Sequence, residues 1–182
     1  MTTIVSMLRG VNVGGHNQIK MNALRSLCGS LGLKDVQTYV QSGNVVFRAK
    51  DQHLVRLAER IEDAIEQKFG FRPGVVLRTA SELRDVVARN PFAKQRDIHP
   101  GKLLVTFFTE EPGKDDCAVL ERVKAEGEEV RAHGREFYLY FPNGAGRSKL
   151  FAATSKLKKS GTSRNWNTVT KLLEMAEKLE GR

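Results

Sequence analysis

Apolar positions recur along the chain with the two periods that distinguish strands from helices. Residues 3–9 alternate as a strand does, and the apolar stripe along 54–69 has the spacing of an amphipathic helix that ends at Gly70. In order, the first half is predicted to hold a strand at 3–9, a helix at 21–31, strands at 36–40 and 45–49, a helix at 54–69 and a strand at 75–77. This order is the split βαβ arrangement of ferredoxin-like domains.

The pattern partly repeats in the second half. A capping box at 79–82 predicts a short helix that ends near residue 89. In order there follow a strand at 103–108, a helix introduced by Asp115-Asp116, strands at 129–132 and 136–141, and helices at 148–159 and 166–179, separated by Ser160-Gly161. We therefore predict an α+β fold of two ferredoxin-like halves with antiparallel sheets, at 1–78 and 79–182, the second of which carries a helical, basic C-terminal segment.

Composition narrows the class of protein. The 182 residues are 40% hydrophobic and 28% charged, which is the balance of a globular protein. No apolar run is long enough to cross a membrane, and the first residues lack the basic region of a secretory signal. Two distant cysteines, Cys28 and Cys117, form no disulfide framework. We therefore expect a cytoplasmic protein with no membrane partner.

The net charge of +9 is concentrated near the C-terminus, where residues 144–182 hold nine Lys or Arg and three Asp or Glu. Such a segment favours anionic partners, either a small phosphate-bearing molecule or nucleic acid. A basic face that only interacts with solvent is the alternative. Nucleic acid is expected to bind weakly at best, because the strand at 3–9 has no aromatic residue for base stacking and the strand at 45–49 has only Phe47.

Two glycine-rich loops lie between a predicted strand and a predicted helix. In the first, residues 9–17, the Gly14-Gly15 pair can present converging N–H groups to an anion, with Arg9 or Lys20 supplying positive charge. Residues 144–149 repeat the arrangement around Arg147. The first loop matches neither the dinucleotide fingerprint nor the phosphate-binding P-loop, so a structural turn stays open for it.

A third polar segment, 162–168, opens the last predicted helix. Arg164, Asn165, Trp166 and Asn167 together offer a guanidinium fork, two amides and a stacking ring, a combination that suits a phosphate or a nucleotide. The structural alternatives are a helix cap at Ser163 or Asn165 and a core anchor at Trp166.

Patterns typical of catalytic and metal sites are missing from the sequence. The four histidines show no i, i+4 pair and no cysteine neighbour, so no metal site is predicted. No Gly-x-Ser-x-Gly nucleophile elbow occurs. Catalytic residues and cofactors therefore stay unassigned, and enzymatic activity is left open.

Three stretches resemble one bacterial family. LRGVNVGG at 8–15, YVQSGNVVF at 39–47 and RNWNTV at 164–169 are similar, in this order, to the domain of unknown function 1697. The resemblance covers nearly the whole chain; it implies an α+β fold with ferredoxin-like halves and implies no activity. It adds Ser42 and Asn44 to the candidate residues, with a plain hairpin turn as the alternative.

The leading hypothesis is a protein that binds a phosphate-bearing or other anionic small ligand. The alternatives are an enzyme acting on a small phosphorylated substrate, a weak nucleic-acid-binding protein, and a structural or partner-binding protein. The candidate ligand-binding residues are Arg9, Asn12, Gly14, Gly15, Asn17, Ser42, Asn44, Arg147, Arg164, Asn165, Trp166 and Asn167. We expect the Gly14-Gly15 loop and the segment 164–167, both at predicted helix N-termini, to meet in one site.

Overall fold

The structure contains two four-stranded antiparallel sheets, one from each half of the predicted fold. The computed structural model describes residues 1–50, 53–157, 159 and 161–181. The chain divides into two compact units, the first formed by Met1–Asp85 with Lys171–Arg182 and the second by Val86–Thr170. Among the described residues, none of the helices combines the length and the apolar character that spanning a membrane requires. The two antiparallel sheets with their helices confirm the predicted α+β class.

The first unit follows the predicted order of elements. They are β1 (Thr2–Leu8), α1 (Met21–Ser30), β2 (Lys34–Tyr39), β3 (Asn44–Ala49), α2 (Leu54–Phe69) and β4 (Val75–Thr79). The strands lie in the order β2-β3-β1-β4 with every neighbouring pair antiparallel, which is the ferredoxin-like topology.

The apolar stripe of α2 forms the centre of this unit's core. Leu57, Ile61 and Ile65 are at most 1% exposed, as their helical spacing predicts, and they belong to one cluster with alternate residues of β1 and β3. The helix ends at Gly70, whose left-handed conformation lets its N–H bond to the carbonyl of Glu66.

The second unit repeats this topology with one strand more than the sequence pattern indicates. A short 3-10 helix at Pro100–Lys102 precedes β5 (Leu103–Phe108), α4 (Lys114–Val123), β6 (Glu129–His133), β7 (Glu136–Tyr140), α5 (Lys149–Thr154) and β8 (Gly161–Asn165). The order β6-β7-β5-β8 matches that of the first sheet. The sequence pattern does not indicate β8, because the polar residues of this strand show no apolar alternation; pairing with β5 makes the strand.

Two predicted helices differ from those observed in their extent or surroundings. The helix predicted at 148–159 is confined to Lys149–Thr154, and Lys158 and Ser160 lie outside the described residues. The final helix, α6 (Trp166–Glu180), follows β8 directly, with no intervening loop.

Between the two sheets in sequence, α3 (Ala80–Ala88) begins at the predicted capping box. There Thr79 and Glu82 exchange backbone and side-chain hydrogen bonds of 2.8 and 3.1 Å.

The two sheets also share their register. Val5 on β1 lies opposite Val46 on one side and Arg78 on the other. In the second sheet Val105 on β5 lies opposite Tyr138 and Arg164. Arg78 and Arg164, at the same place in the two sheets, are 1% and 7% exposed. The two halves are therefore equivalent at the level of strand pairing, including a buried arginine on the last strand of each.

Candidate functional site

The Gly14-Gly15 pair forms a tight turn and not the start of a helix. The His16 N–H donates to the Val13 carbonyl at 3.0 Å, and the two glycines between them have φ of +58° and +78°. Positive φ at both central positions is the mark of a type I′ turn, which favours glycine. Because α1 begins only at Met21, the prediction that this pair lies at a helix N-terminus is wrong.

Asn12 fastens the loop that carries this turn. Its side-chain oxygen accepts the Ile19 N–H at 2.8 Å, and its amide nitrogen donates to the carbonyls of Ile19 at 2.9 Å and Gln41 at 2.7 Å. Asn17 makes a single longer bond, 3.2 Å, to the Gly10 carbonyl. Both amide hydrogens of Asn12 are engaged in holding the loop, so this residue shapes the candidate site and is a poor donor to a ligand.

The second stretch of the family resemblance meets the first at this point. Besides the bond from Asn12 to Gln41, the Leu8 N–H donates to the Gly43 carbonyl at 3.0 Å. Asn44 is fully buried and donates to the Tyr39 carbonyl at 3.1 Å and to the Ser42 hydroxyl at 2.9 Å. Ser42 and Asn44 therefore hold the turn between β2 and β3, and their position brings that turn against the first loop.

A depression of about 330 Å³ lies where these two loops meet the start of α1. Its lining residues are Asn12, Gln18, Ile19, Lys20 and Gln41. Lys20 is the N-cap residue of α1, and its side chain does not cap the helix. The N–H groups of the first turn and the Lys20 ammonium together make this end of α1 electropositive.

Strained backbone is concentrated in the same two loops. In the described part of the chain four non-glycine residues have positive φ, and three of them, Asn12, Asn17 and Val40, lie here. A β-branched residue such as Val40, at φ +49°, is especially unfavourable in this region. Strain of this kind is found preferentially at functional sites and is maintained by the surrounding contacts.

Arg9 and Arg147 occupy different surroundings. Arg9, half-buried, directly follows β1, and its N–H donates to the Gly74 carbonyl at 2.8 Å. Its guanidinium makes no ion pair with any residue that the structure describes. Arg147 is exposed in the loop before α5, where Ser148 already caps the helix by accepting the Phe151 N–H at 3.2 Å. The glycine loop around Arg147 thus leads into a short helix that has its own cap.

Arg164 lies within a strand, so the expected helix N-terminal position is wrong for this residue too. Its Nη1 donates to the Thr162 hydroxyl at 2.7 Å and to the Ser163 carbonyl at 2.9 Å. Burial lowers the pKa of the guanidinium to about 10, which still leaves it charged at neutral pH. Arg164 therefore contributes to the interior of the second unit.

Asn165 caps the N-terminus of α6, which is the structural role predicted as an alternative to ligand binding. Its side-chain oxygen accepts the Asn167 N–H at 2.9 Å, and its amide donates to the Gly101 carbonyl at 3.0 Å. Trp166, half-buried, opens α6, and Asn167 is exposed one residue later. The meeting of the segment 164–167 with the Gly14-Gly15 loop stays a prediction.

Four of the five residues that line the depression were not among the candidate ligand-binding residues: Gln18, Ile19, Gln41 and Lys20, the last named only as a possible source of positive charge. Gln18 lies in the loop two residues before the N-cap of α1, and Gln41 belongs to the turn after β2. The only sequence signal for Gln41 was its place within the second stretch of the family resemblance. Gln18 stands in a polar loop with no periodic pattern, and nothing in the sequence distinguishes it from a solvated residue.

Comparisons with known proteins agree with the resemblance seen in the sequence. The family model described as "Protein of unknown function (DUF1697)" matches residues 1–138. Among solved structures, the chain is similar to the conserved bacterial protein SP0830 from Streptococcus pneumoniae, with a TM-score of 0.77 and 25% identity over 96% of this chain and 98% of that one. No curated protein matches.

Proposed function

Since the chain belongs to the DUF1697 family of proteins of unknown function, whose description names no activity, we propose a function from its own geometry. It binds a small anionic ligand, such as a phosphate-bearing metabolite, at the depression between the loop 10–20 and the turn 40–43. The observation that carries the proposal is the position of Lys20. This lysine lines the depression and is also the N-cap of α1, where its ammonium adds to the partial positive charge of the helix N-terminus.

The lining favours binding over acid–base chemistry. Its described residues supply amide groups from Asn12, Gln18 and Gln41, one ammonium from Lys20 and an aliphatic side chain from Ile19. None of these is a carboxylate, an imidazole or a thiol, so Lys20 is the one group of this lining that could exchange a proton with a ligand. The volume of about 330 Å³ lies at the lower end of the range for small-molecule sites, roughly 300–1,000 Å³.

The rigidity of the depression supports the same conclusion. The three hydrogen bonds of Asn12 tie both loops together, and buried Val11 and Ile19 anchor the ends of the first loop. A site held in this way loses little conformational entropy when a ligand enters. The strained φ of Val40 is the local cost of this arrangement.

The test is a calorimetric titration with inorganic phosphate and with ribose 5-phosphate, comparing the wild type with Lys20→Ala. Loss of one charge-assisted hydrogen bond should weaken binding by about 1.5–3 kcal/mol. The matched control is Lys34→Ala, which removes an exposed lysine of β2 in the same unit and should leave the affinity unchanged. Equal affinities for wild type and Lys20→Ala, or no binding of either anion at millimolar concentration, would refute the proposal.

Nucleic-acid binding has less support from the charges of the C-terminal segment. Lys159 pairs with Glu110 at 2.9 Å, and Lys171 pairs with Glu174 at 3.0 Å. Glu174 also pairs with Lys178 at 2.5 Å, and Arg164 is buried. Because these cations are engaged within the chain, we expect at most weak, steeply salt-dependent binding to DNA or RNA. A titration at two salt concentrations measures it.

A further inference from the structure

A second depression, of about 310 Å³, lies in the second unit around Trp166. The connection 89–99, between α3 and the 3-10 helix, forms much of its wall. Its lining residues are Val87, Asn90, Phe92, Ala93, Gln95, Ile98, Pro100, Leu103 and Trp166. The depression thus combines an indole, two side-chain amides and several aliphatic groups, and it shares no lining residue with the Lys20 site.

The connection 89–99 is fixed by several contacts. The Phe92 side chain is 2% exposed, with its ring 6.3 Å from that of Tyr140 and 5.6 Å from the Arg131 guanidinium. Tyr140 also donates from its hydroxyl to the Asp97 carbonyl at 3.3 Å. Asn90 accepts the Phe92 N–H on its side-chain oxygen at 3.0 Å. The wall of the depression is therefore formed before any ligand arrives, which lowers the entropic cost of binding.

The polar groups of the lining have hydrogen-bonding capacity to spare. Trp166 is half-buried, and its indole N–H finds no acceptor among the residues that the structure describes. The Gln95 side-chain amide likewise makes no hydrogen bond within that part of the chain. Asn90 uses only its oxygen, for the Phe92 N–H. An aromatic ring with nearby unsatisfied amides is the combination by which proteins stack and read a nucleobase.

Positive charge lies in the same connection, 89–99. Lys94 and Arg96 flank Gln95 in the sequence, and all three are exposed. Within the described residues neither cation takes part in an ion pair. Asp97 follows, and it contributes its backbone carbonyl to Tyr140. Lys94 and Arg96 are thus two cations without an ion pair to a described residue, next to an amide that can read a base. Such cations can bind the phosphate of a nucleotide.

We propose that this depression binds a nucleoside monophosphate, with the base against Trp166 and the amides of Asn90 and Gln95, and with the phosphate near Lys94 and Arg96. Trp166 is the only tryptophan of the chain, so its fluorescence reports the site directly. Titration of the full chain with AMP, GMP, CMP and UMP should give saturable quenching, stronger for the two purines because they stack over a larger area. Ribose 5-phosphate, which has no base, should not quench.

Variants separate the parts of the proposed site. Gln95→Ala, at an exposed position, should keep the fold and weaken AMP binding by about 2- to 10-fold. Its matched control, Gln67→Ala on the exposed face of α2, should bind as the wild type does. The double variant Lys94→Ala with Arg96→Ala should weaken AMP binding and leave the affinity for adenosine unchanged. Trp166→Leu, measured by calorimetry after circular dichroism verifies its fold, should lose roughly 5- to 150-fold.

The outcomes are decisive in both directions. Absence of saturable quenching by all four nucleotides, equal quenching by ribose 5-phosphate, or an unchanged affinity in Gln95→Ala would overturn the proposal. Should Trp166→Leu fail to fold, Gln95→Ala and the double variant still test it. Lys20→Ala should not alter the nucleotide titration, so failure at one depression is distinguishable from failure at the other.

Discussion

Replacing Gly43 by alanine tests the contact that joins the two loops of the candidate site. Gly43 has φ of +76°, and a Cβ atom built on it would lie 2.8 Å from the Cβ of Leu8 and 3.6 Å from that of Val11. The Leu8 Cβ is attached directly to the backbone of the central strand β1, so it cannot move aside as the end of a flexible side chain would. The substitution must displace either β1 or the turn.

Two costs add in Gly43→Ala. A left-handed conformation disfavours alanine by about 1–2 kcal/mol. Overpacking at a rigid contact adds about 1–3 kcal/mol. The matched control is Gly70→Ala, where φ is +80° but no atom lies within 4 Å of the added Cβ, so only the first cost applies. The free energy of unfolding should therefore fall by about 1–3 kcal/mol more in Gly43→Ala than in Gly70→Ala.

The assay is guanidinium unfolding followed by far-ultraviolet circular dichroism, with the slope m compared between the variants to establish that the same transition is measured. Gly43→Ala should also weaken anion binding at the Lys20 site, because displacement of the turn carries away the Gln41 carbonyl that Asn12 holds. Gly70→Ala should not. If the two alanine variants lose equal stability, the close approach of Gly43 to Leu8 is refuted.

Three further predictions concern the interior and the first loop. Asn12→Ala should lower the free energy of unfolding by guanidinium by about 1–3 kcal/mol more than Asn17→Ala does, because both residues have positive φ and only Asn12 makes three side-chain hydrogen bonds. Equal losses would contradict the role of Asn12 in fastening the loop. Ile61→Ala should lose about 2–5 kcal/mol, whereas Val55→Ala, 77% exposed on the same helix, should change stability by less than about 0.5 kcal/mol. Burial raises the pKa of the Cys28 thiol from 9.0 to about 12, so the folded chain keeps a proton that the unfolded chain loses. The difference in the free energy of unfolding between the wild type and Cys28→Ala should keep its full value below pH 9 and decrease as the pH rises towards 12. A difference that is independent of pH would contradict the burial of the thiol.

The elements that the sequence predicts best are those with a complete apolar period. The stripe of α2 and the apolar run of β5 give the observed bounds, Leu54–Phe69 and Leu103–Phe108, because burial of a regular face decides both structures. The strand β8 has the residues of a turn, and only its hydrogen bonds to β5 make it a strand. Pairing between distant segments leaves no local signal in such a short polar stretch.

The sequence named candidate residues for a site but did not indicate which of their loops meet. The loops around residues 9–17 and 39–44 do meet, but Asn12 and Asn44, chosen as ligand residues, bond mainly to backbone carbonyls of the chain itself. Asparagine serves equally in turns and in ligand sites, because its short amide suits both. Which of these roles an asparagine has depends on the neighbouring strand, and the spacing of residues in the sequence does not contain that information.

The composition of the first unit has a consequence for synthesis on the ribosome. Its four strands are all translated by Thr79, yet the unit also includes Lys171–Arg182. Arg84 bonds there to Glu177 at 3.0 Å and to Glu180 at 2.9 Å, while Leu172, Ala176 and Leu179 are buried. The nascent sheet of the first unit must therefore persist, with an incomplete unit, until residues 171–182 emerge, after all strands of the second sheet have been translated. The unit whose strands are translated first is thus completed only after those of the second unit.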